Sequence, residues 1–237
     1  MEAPKGKMSR AKVAKLPAQP TRGRPRRTTA AAAFSPDFLV EQRKSAMLRA
    51  AAAAFNRKGF ANTMMEDIAS ALGVSKPTLY RYFKSKDDVL FECHLLAMHY
   101  AELALDKAKS EPTGLQSFLT FARENLRGIL GELGTFPVIT DVDSLKPAYR
   151  AQVIKQRKSI SRGVRELVRR GVDDGSLRCT DVELAVLFAF GVFNWVPFWY
   201  RPDGPRKPDE IIAVFEDLFA RCFGDSMSSG MPRPGDN

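Results

Sequence analysis

Cysteine is scarce and scattered: Cys93, Cys179 and Cys222 stand far apart, and none belongs to a Cys-x-x-Cys pair. That excludes a disulfide framework or a structural zinc site as the organising device and fits a reducing, cytoplasmic setting. Histidine is scarcer still. His94 and His99 are five apart, which does not align them as metal ligands on one helix face, so they read as ordinary helix residues. No phosphate-cradling glycine loop, GxSxG, HExxH or supported Cys–His pairing occurs. The chain therefore reads as a non-enzyme with no metal and no cofactor. Its basic N-terminus lacks the apolar core of a secretory signal. The longest apolar stretch, Leu184 to Tyr200, is interrupted by Asn194 and Pro197 and falls short of the roughly twenty residues of a bilayer span. It reads as a helix shared between the monomer core and a subunit interface, with no membrane partner.

What the chain does have is positive charge in one place. The net charge is +10, from 37 basic and 27 acidic side chains. Residues 1–40 hold nine Lys/Arg against Glu2 and Asp37, giving +7; residues 41–86 hold nine against Glu41, Glu66 and Asp67, giving +6. The remaining residues carry −3, so the whole excess lies in the first third, as expected of a nucleic-acid-binding head on a near-neutral body.

The stretch Thr63 to Lys86 carries three capping signals in a row. Thr63 and Glu66 form a Thr-x-x-Glu capping box, followed by Met65, Ile68, Ala69 and Leu72 at helical spacing. Gly73 supplies the positive φ that ends this helix, and Val74 packs back onto it. Ser75 caps a second helix, Lys76 to Phe83, with Pro77 in its first turn; Ser85 caps a third, with Asp88 at N3. Two short helices around a glycine turn make a helix-turn-helix. The second helix suits a polyanion. Lys76, Thr78, Tyr80, Arg81, Tyr82 and Lys84 supply donors, Leu79 and Phe83 hold the inner face, and no acidic residue occurs from Ile68 through Lys86.

These residues carry a resemblance. The run Arg43 to Leu90 is similar to the N-terminal DNA-binding domain of TetR-family regulators. Its landmarks are Ala51, Phe55, Gly59–Phe60, Thr63, Ile68–Ala69, Gly73–Val74, Thr78–Leu79–Tyr80, Tyr82–Phe83, Lys86 and Leu90. Pro77–Thr78 departs from the small residue or glycine of many members, which alters the expected target and not the class. Further on, Gly171 to Arg178 and the run Phe193-Asn194-Trp195 to Pro205 resemble the C-terminal ligand and dimerisation domain of the same family. The resemblance implies an all-α fold, an N-terminal three-helix head and a C-terminal helical bundle. It also implies a homodimeric regulator on double-stranded DNA, in most cases a repressor released by a small hydrophobic ligand. Some members with an Asn-Trp…Trp-Tyr-x-Pro-x-Gly run sense acyl-CoA thioesters.

Roles follow within this frame. Lys76 and Thr78, early in the recognition helix, are placed to read base edges, and Tyr80 stands between base and phosphate. By resemblance, Thr63, Ser75, Tyr82 and Lys86 hold phosphates. Arg22-Gly23-Arg24-Pro25, in the basic arm, resembles the core of an AT-hook; it either enters a narrow A·T-rich minor groove or acts as a diffuse counterion. The expected organisation is a disordered arm over 1–40, the head over 41–86, the body over 87–224 and a flexible tail over 225–237. Within the body, Val89, Cys93, Leu96, Tyr100 and Leu103 should form the buried stripe of one long helix, and a Thr180/Glu183 capping box should open the apolar helix. Phe118, Phe121, Phe136, Phe188, Phe193, Trp195 and Trp199 are candidates to line an apolar ligand pocket, and Arg127, Arg150 or Arg165 to pair an acidic ligand. The alternative is a DNA-bound architectural or cell-cycle protein of the same fold whose body binds a protein partner and no ligand.

Overall fold

The computed structural model describes residues 36–131 and 141–224, with side chains from residue 43 onward. Among the described residues there are eight helices and no strand. They are α1 (Pro36–Lys58), α2 (Met65–Ala71), α3 (Lys76–Tyr80), α4 (Lys86–Ala108), α5 (Gly114–Leu130), α6 (Pro147–Asp173), α7 (Val182–Trp199) and α8 (Pro208–Phe223). Helix α1 begins at Pro36. Proline is well placed at a first helical position, where its missing N–H bonds nothing.

The head closes around small residues. Ala51, Ala52, Ala54 and Phe55 of α1 are buried against Ile68 and Ala69 of α2 and Leu79 of α3. The turn after α2 forms as its sequence dictates. Gly73 adopts φ 63°, its N–H donates to Ser70 O at 3.1 Å, and Val74 N–H donates to Ala69 O at 3.0 Å. Ser75 Oγ then accepts from Thr78 N and Ser85 Oγ from Asp88 N, so both expected caps are present.

Two caps differ by one residue from expectation. Helix α2 is capped at Met64, whose N–H donates to Asp67 Oδ2 at 2.9 Å, and Thr63 with Glu66 takes no part. Helix α7 is capped by Asp181, which accepts from Leu184 N at 3.0 Å; Glu183, the expected partner of Thr180, pairs instead with Arg165. In both cases an acidic or polar neighbour satisfies the same orphan N–H groups one register away, which spacing alone does not resolve.

The body is organised around α5, which packs against α4, α6, α7 and α8. Phe118 is fully buried and meets Phe219 and Phe223 edge-on at 5.4 and 5.2 Å. The inward residues of α6 are Val153, Ile160, Val164, Leu167, Val168 and Gly171. The stripe on α4 is corrected. Leu103 is 44% exposed, and Leu90, His94, Met98, Ala101, Ala104 and Ala108 join Val89 and Cys93 in the interior. A helix enclosed by both α5 and α6 buries a wider arc than a single stripe.

The start of α5 is pinned to the end of α6. A Cβ on Gly114 would lie 2.0 Å from Gly171 N, so the two backbones touch. Around this contact Asp174 accepts from Gly114 N at 2.7 Å and Ser176 Oγ from Leu115 N at 3.0 Å; Arg170 donates to Glu111 O and Pro112 O. The Asp174 carboxyl is held below its ordinary range by the Ser176 hydroxyl and by the Gly114 and Ser176 N–H groups.

A second tie joins the start of α4 to the α1–α2 loop. Lys86 Nζ donates to Phe60 O, Ala61 O and Thr63 O at 2.9, 3.0 and 3.1 Å and lies 4.6 Å over the Phe60 ring. Gly114→Ala should therefore destabilise by about 1–3 kcal/mol, because backbone and not a flexible side chain must give way. An unchanged melting temperature would contradict the packing. Lys86→Met should cost about 1–3 kcal/mol and speed amide exchange over residues 59–64, measured by hydrogen–deuterium exchange.

Candidate nucleic-acid interface and body cavity

The recognition helix is shorter than its apolar spacing suggests. Helix α3 spans Lys76–Tyr80, five residues, and the chain then turns, with Arg81 N–H donating to Pro77 O and Tyr82 and Phe83 N–H groups to Leu79 O. Leu79 and Phe83 are buried, as the inner face requires. Lys76, Tyr80, Arg81 and Lys84 are exposed, and Thr78 and Tyr82 half-buried, so six donor-bearing side chains gather on one short, basic surface.

Two of these groups are partly occupied. Lys76 Nζ is ion-paired with Glu66 on α2 and sits 5.9 Å over the Tyr80 ring; both charged groups are about half-exposed, so a phosphate or base competes with a weak pair. Ser75 Oγ and Thr78 Oγ1 share a 2.8 Å hydrogen bond that sets the Thr78 rotamer at the start of the helix.

Two of the phosphate-holding candidates are placed otherwise. Thr63 is fully buried, its hydroxyl donating to Gly59 O at 2.8 Å. The Lys86 ammonium spends its three N–H groups on the loop carbonyls already described. Both residues hold the α1–α2 loop in shape, with their side chains turned to its carbonyls. Arg22 and Arg24 lie outside the described residues.

The body contains a cavity of about 290 Å³ between α4, α5, α6 and α7, near the lower end of small-molecule sites. Its wall is mostly apolar, with Met98, Phe190 and Phe193 among the lining residues, and His94, Asn125, Arg157, Ser161 and Asn194 are among its polar points. Burial, and next the Arg157 charge, push the His94 imidazole down to about 4, against a backbone hydrogen bond with Asp141 that favours its charged form. His94 is therefore neutral at physiological pH. A folded-state value below the ordinary 6.5 makes the native state lose stability as pH falls from 6.5 towards 4, because only the unfolded chain takes up the proton there.

Of the seven aromatic candidates, Phe193 lines this cavity. Phe118 and Phe121 are fully enclosed in the core, where Phe121 meets Phe193 edge-on at 5.9 Å. Phe188, Trp195 and Trp199 point outward, at 51%, 64% and 40% exposure, and Phe136 lies outside the described residues. Arg127, Arg150 and Arg165 are ion-paired with Glu124, Asp143 and Glu183, away from the lining. The polar residues that do line it come from four helices, α4 to α7, and no local pattern in the chain joins them.

Comparison with known proteins agrees with this geometry. Residues 47–93 match the profile of bacterial regulatory proteins of the tetR family, and residues 118–223 that of the tetracyclin repressor-like C-terminal domain. The HTH-type transcriptional repressor KstR2 of Rhodococcus jostii (strain RHA1) is 29% identical over 178 residues, 71% of this chain and 85% of that protein. The crystal structure of the TetR family transcriptional regulator PfmR from Thermus thermophilus superposes with a TM-score of 0.66 at 34% identity, covering 74% of this chain and 97% of PfmR. The structure of AibR in complex with isovaleryl coenzyme A and operator DNA shares the fold, with a TM-score of 0.61 at 22% identity over 74% of this chain and 97% of AibR. With a head profile and a body profile matched in order along one chain, and a 34% identical relative covered almost end to end, this chain belongs to the TetR family of helix-turn-helix transcriptional regulators.

Proposed function

We propose that the chain is a cytoplasmic, homodimeric repressor that grips a palindromic operator with two helix-turn-helix heads and lets go when a small, acyl-type hydrophobic ligand enters the body. In this reading residues 41–86 act as the head and 87–224 as the ligand and dimerisation body. The observation that carries it is the position of α4. Its first turns complete the core of the head through Val89, Leu90 and Cys93, and its middle turns, at His94, Met98 and Ala101, wall the cavity. A ligand there acts on the helix that aims α3. It shifts the equilibrium only by as much as it prefers the geometry that misplaces the heads. The named repressor among the relatives, and the isovaleryl coenzyme A and operator DNA bound by AibR, support the same assignment. A cavity at this place favours the ligand reading over a body that serves only a protein partner.

Dimerisation is assigned to the outer face of α7. Leu184, Leu187, Phe188, Trp195, Phe198 and Trp199 form a helical stripe at 40–64% exposure, continued on α8 by Val214 and Leu218. By length and composition alone this 18-residue helix, longer than the interrupted stretch read from the sequence, could also cross a membrane, but a core helix of a soluble protein passes the same test. A second copy of the same face covers the stripe and brings two heads to half-sites about one helical turn apart. On the DNA side, Lys76, Thr78 and Tyr80 read bases, while Ser75, Tyr82 and Lys84 hold phosphates, with Arg22 and Arg24 of the arm adding further contact.

Two outcomes test this reading. Trp195→Arg should give a monomer in sedimentation velocity and lose operator binding; a dimer that still binds would contradict the interface. Lys84→Ala should weaken binding on all duplexes alike and reduce the log–log salt slope by about one per head. Thr78→Ala should instead change the ranking among duplexes of different sequence, read by fluorescence anisotropy. Identical behaviour of the two variants would remove the division of roles.

A further inference from the structure

His94 has an unmet chemical need. Only 1% of the residue is exposed, it lines the cavity, and its Nε2 has no hydrogen-bond partner. Native interiors seldom leave a buried polar atom in that condition without a ligand or water to meet it. The hydrogen bond between the imidazole and the Asp141 backbone favours the protonated ring, as a carbonyl acceptor does. Since Nε2 is unpartnered, that bond and the ring proton are assigned to Nδ1. Nε2 therefore presents a lone pair to the cavity and can only accept. An alkyl group would strip water from Nε2 and return nothing, and a carbonyl oxygen would set lone pair against lone pair. An ammonium would face the Arg157 charge on the same wall.

We propose that the effector is a hydroxylated acyl compound, whose hydroxyl donates to His94 Nε2 while its carbonyl or carboxylate end is received by Arg157 and Asn125. Asn125 is 8% exposed on the same wall, and Ile129, Ile160, Phe190 and Phe193 surround the remaining chain. The inference rests on the cavity being the effector site. A pocket built to hydrogen-bond a ligand hydroxyl rejects the analogue that lacks it, because the buried acceptor is then left unpaired.

The test uses the full chain and a matched pair of probes, 3-hydroxyoctanoate and octanoate. The protein has two histidines, so ¹⁵N-histidine labelling with His99→Gln as reference isolates the His94 ring nitrogens. In the free protein at neutral pH, His94 should show protonated Nδ1 and bare Nε2. On titration, 3-hydroxyoctanoate should bind about tenfold more tightly than octanoate and move the Nε2 resonance as a new hydrogen bond does. His94→Phe keeps a planar ring of similar size and removes the acceptor, so both acids should bind it equally. A protonated Nε2 in the free protein, or equal affinities in the unaltered chain, would overturn the hydroxyl inference and leave the cavity as an acyl site. If neither acid moved the His94 signals at millimolar concentration, the cavity would not be an acyl-binding site, and the underlying reading would fall as well.

Discussion

Helix α4 runs unbroken from Lys86 to Ala108, and its buried side chains serve two interiors in turn. Val89, Leu90 and Cys93 close the head against α1, where Cys93 Sγ donates to Leu48 O. His94, Met98 and Ala101 then form one wall of the body cavity. Because close-packed interiors deform little, a displacement felt by the second group is transmitted to the first. Lys86 strengthens the coupling at the head end, since its ammonium ties the start of α4 to the α1–α2 loop. Tyr149, from the start of α6, does so at the same end of α4. It stacks on Phe91 at 4.1 Å and donates to Asp88, fixing α4 against the start of α6.

Much of the fold was legible because the signals that specify it are local. The Gly73–Val74 turn and the Ser75 and Ser85 caps each depend on residues within a few positions of one another, and each formed as read. The site was less legible, for the opposite reason. Thr63 and Lys86 match the family pattern, yet their side chains are turned inward by loop carbonyls up to 26 residues away in the chain. Aromatic content pointed to a pocket without saying which face each ring takes. Phe118 and Phe121 went to the core, and Phe188, Trp195 and Trp199 to the outside of α7. His94 read as an ordinary helix residue, because only the approach of α5, α6 and α7 makes its position a buried polar one.

The exposed stripe of α7 and the cavity lie on one helix, which explains why α7 is apolar on nearly every side. Ala185, Ala189, Phe193 and Val196 face the core, while Leu184, Phe188 and Trp195 face away. Leu187 belongs to both surfaces, exposed and yet part of the cavity wall. Dimerisation through this face would thus border the ligand site directly, and the two events the proposed repressor needs, pairing of heads and release from DNA, would share one structural element.

In the proposed dimer, two heads read one palindrome. Selection of the purified full-length protein on random duplex DNA tests it most directly. An inverted repeat with half-site centres about one helical turn apart should be enriched. Enrichment of a single half-site, of a direct repeat, or of no sequence at all would contradict it.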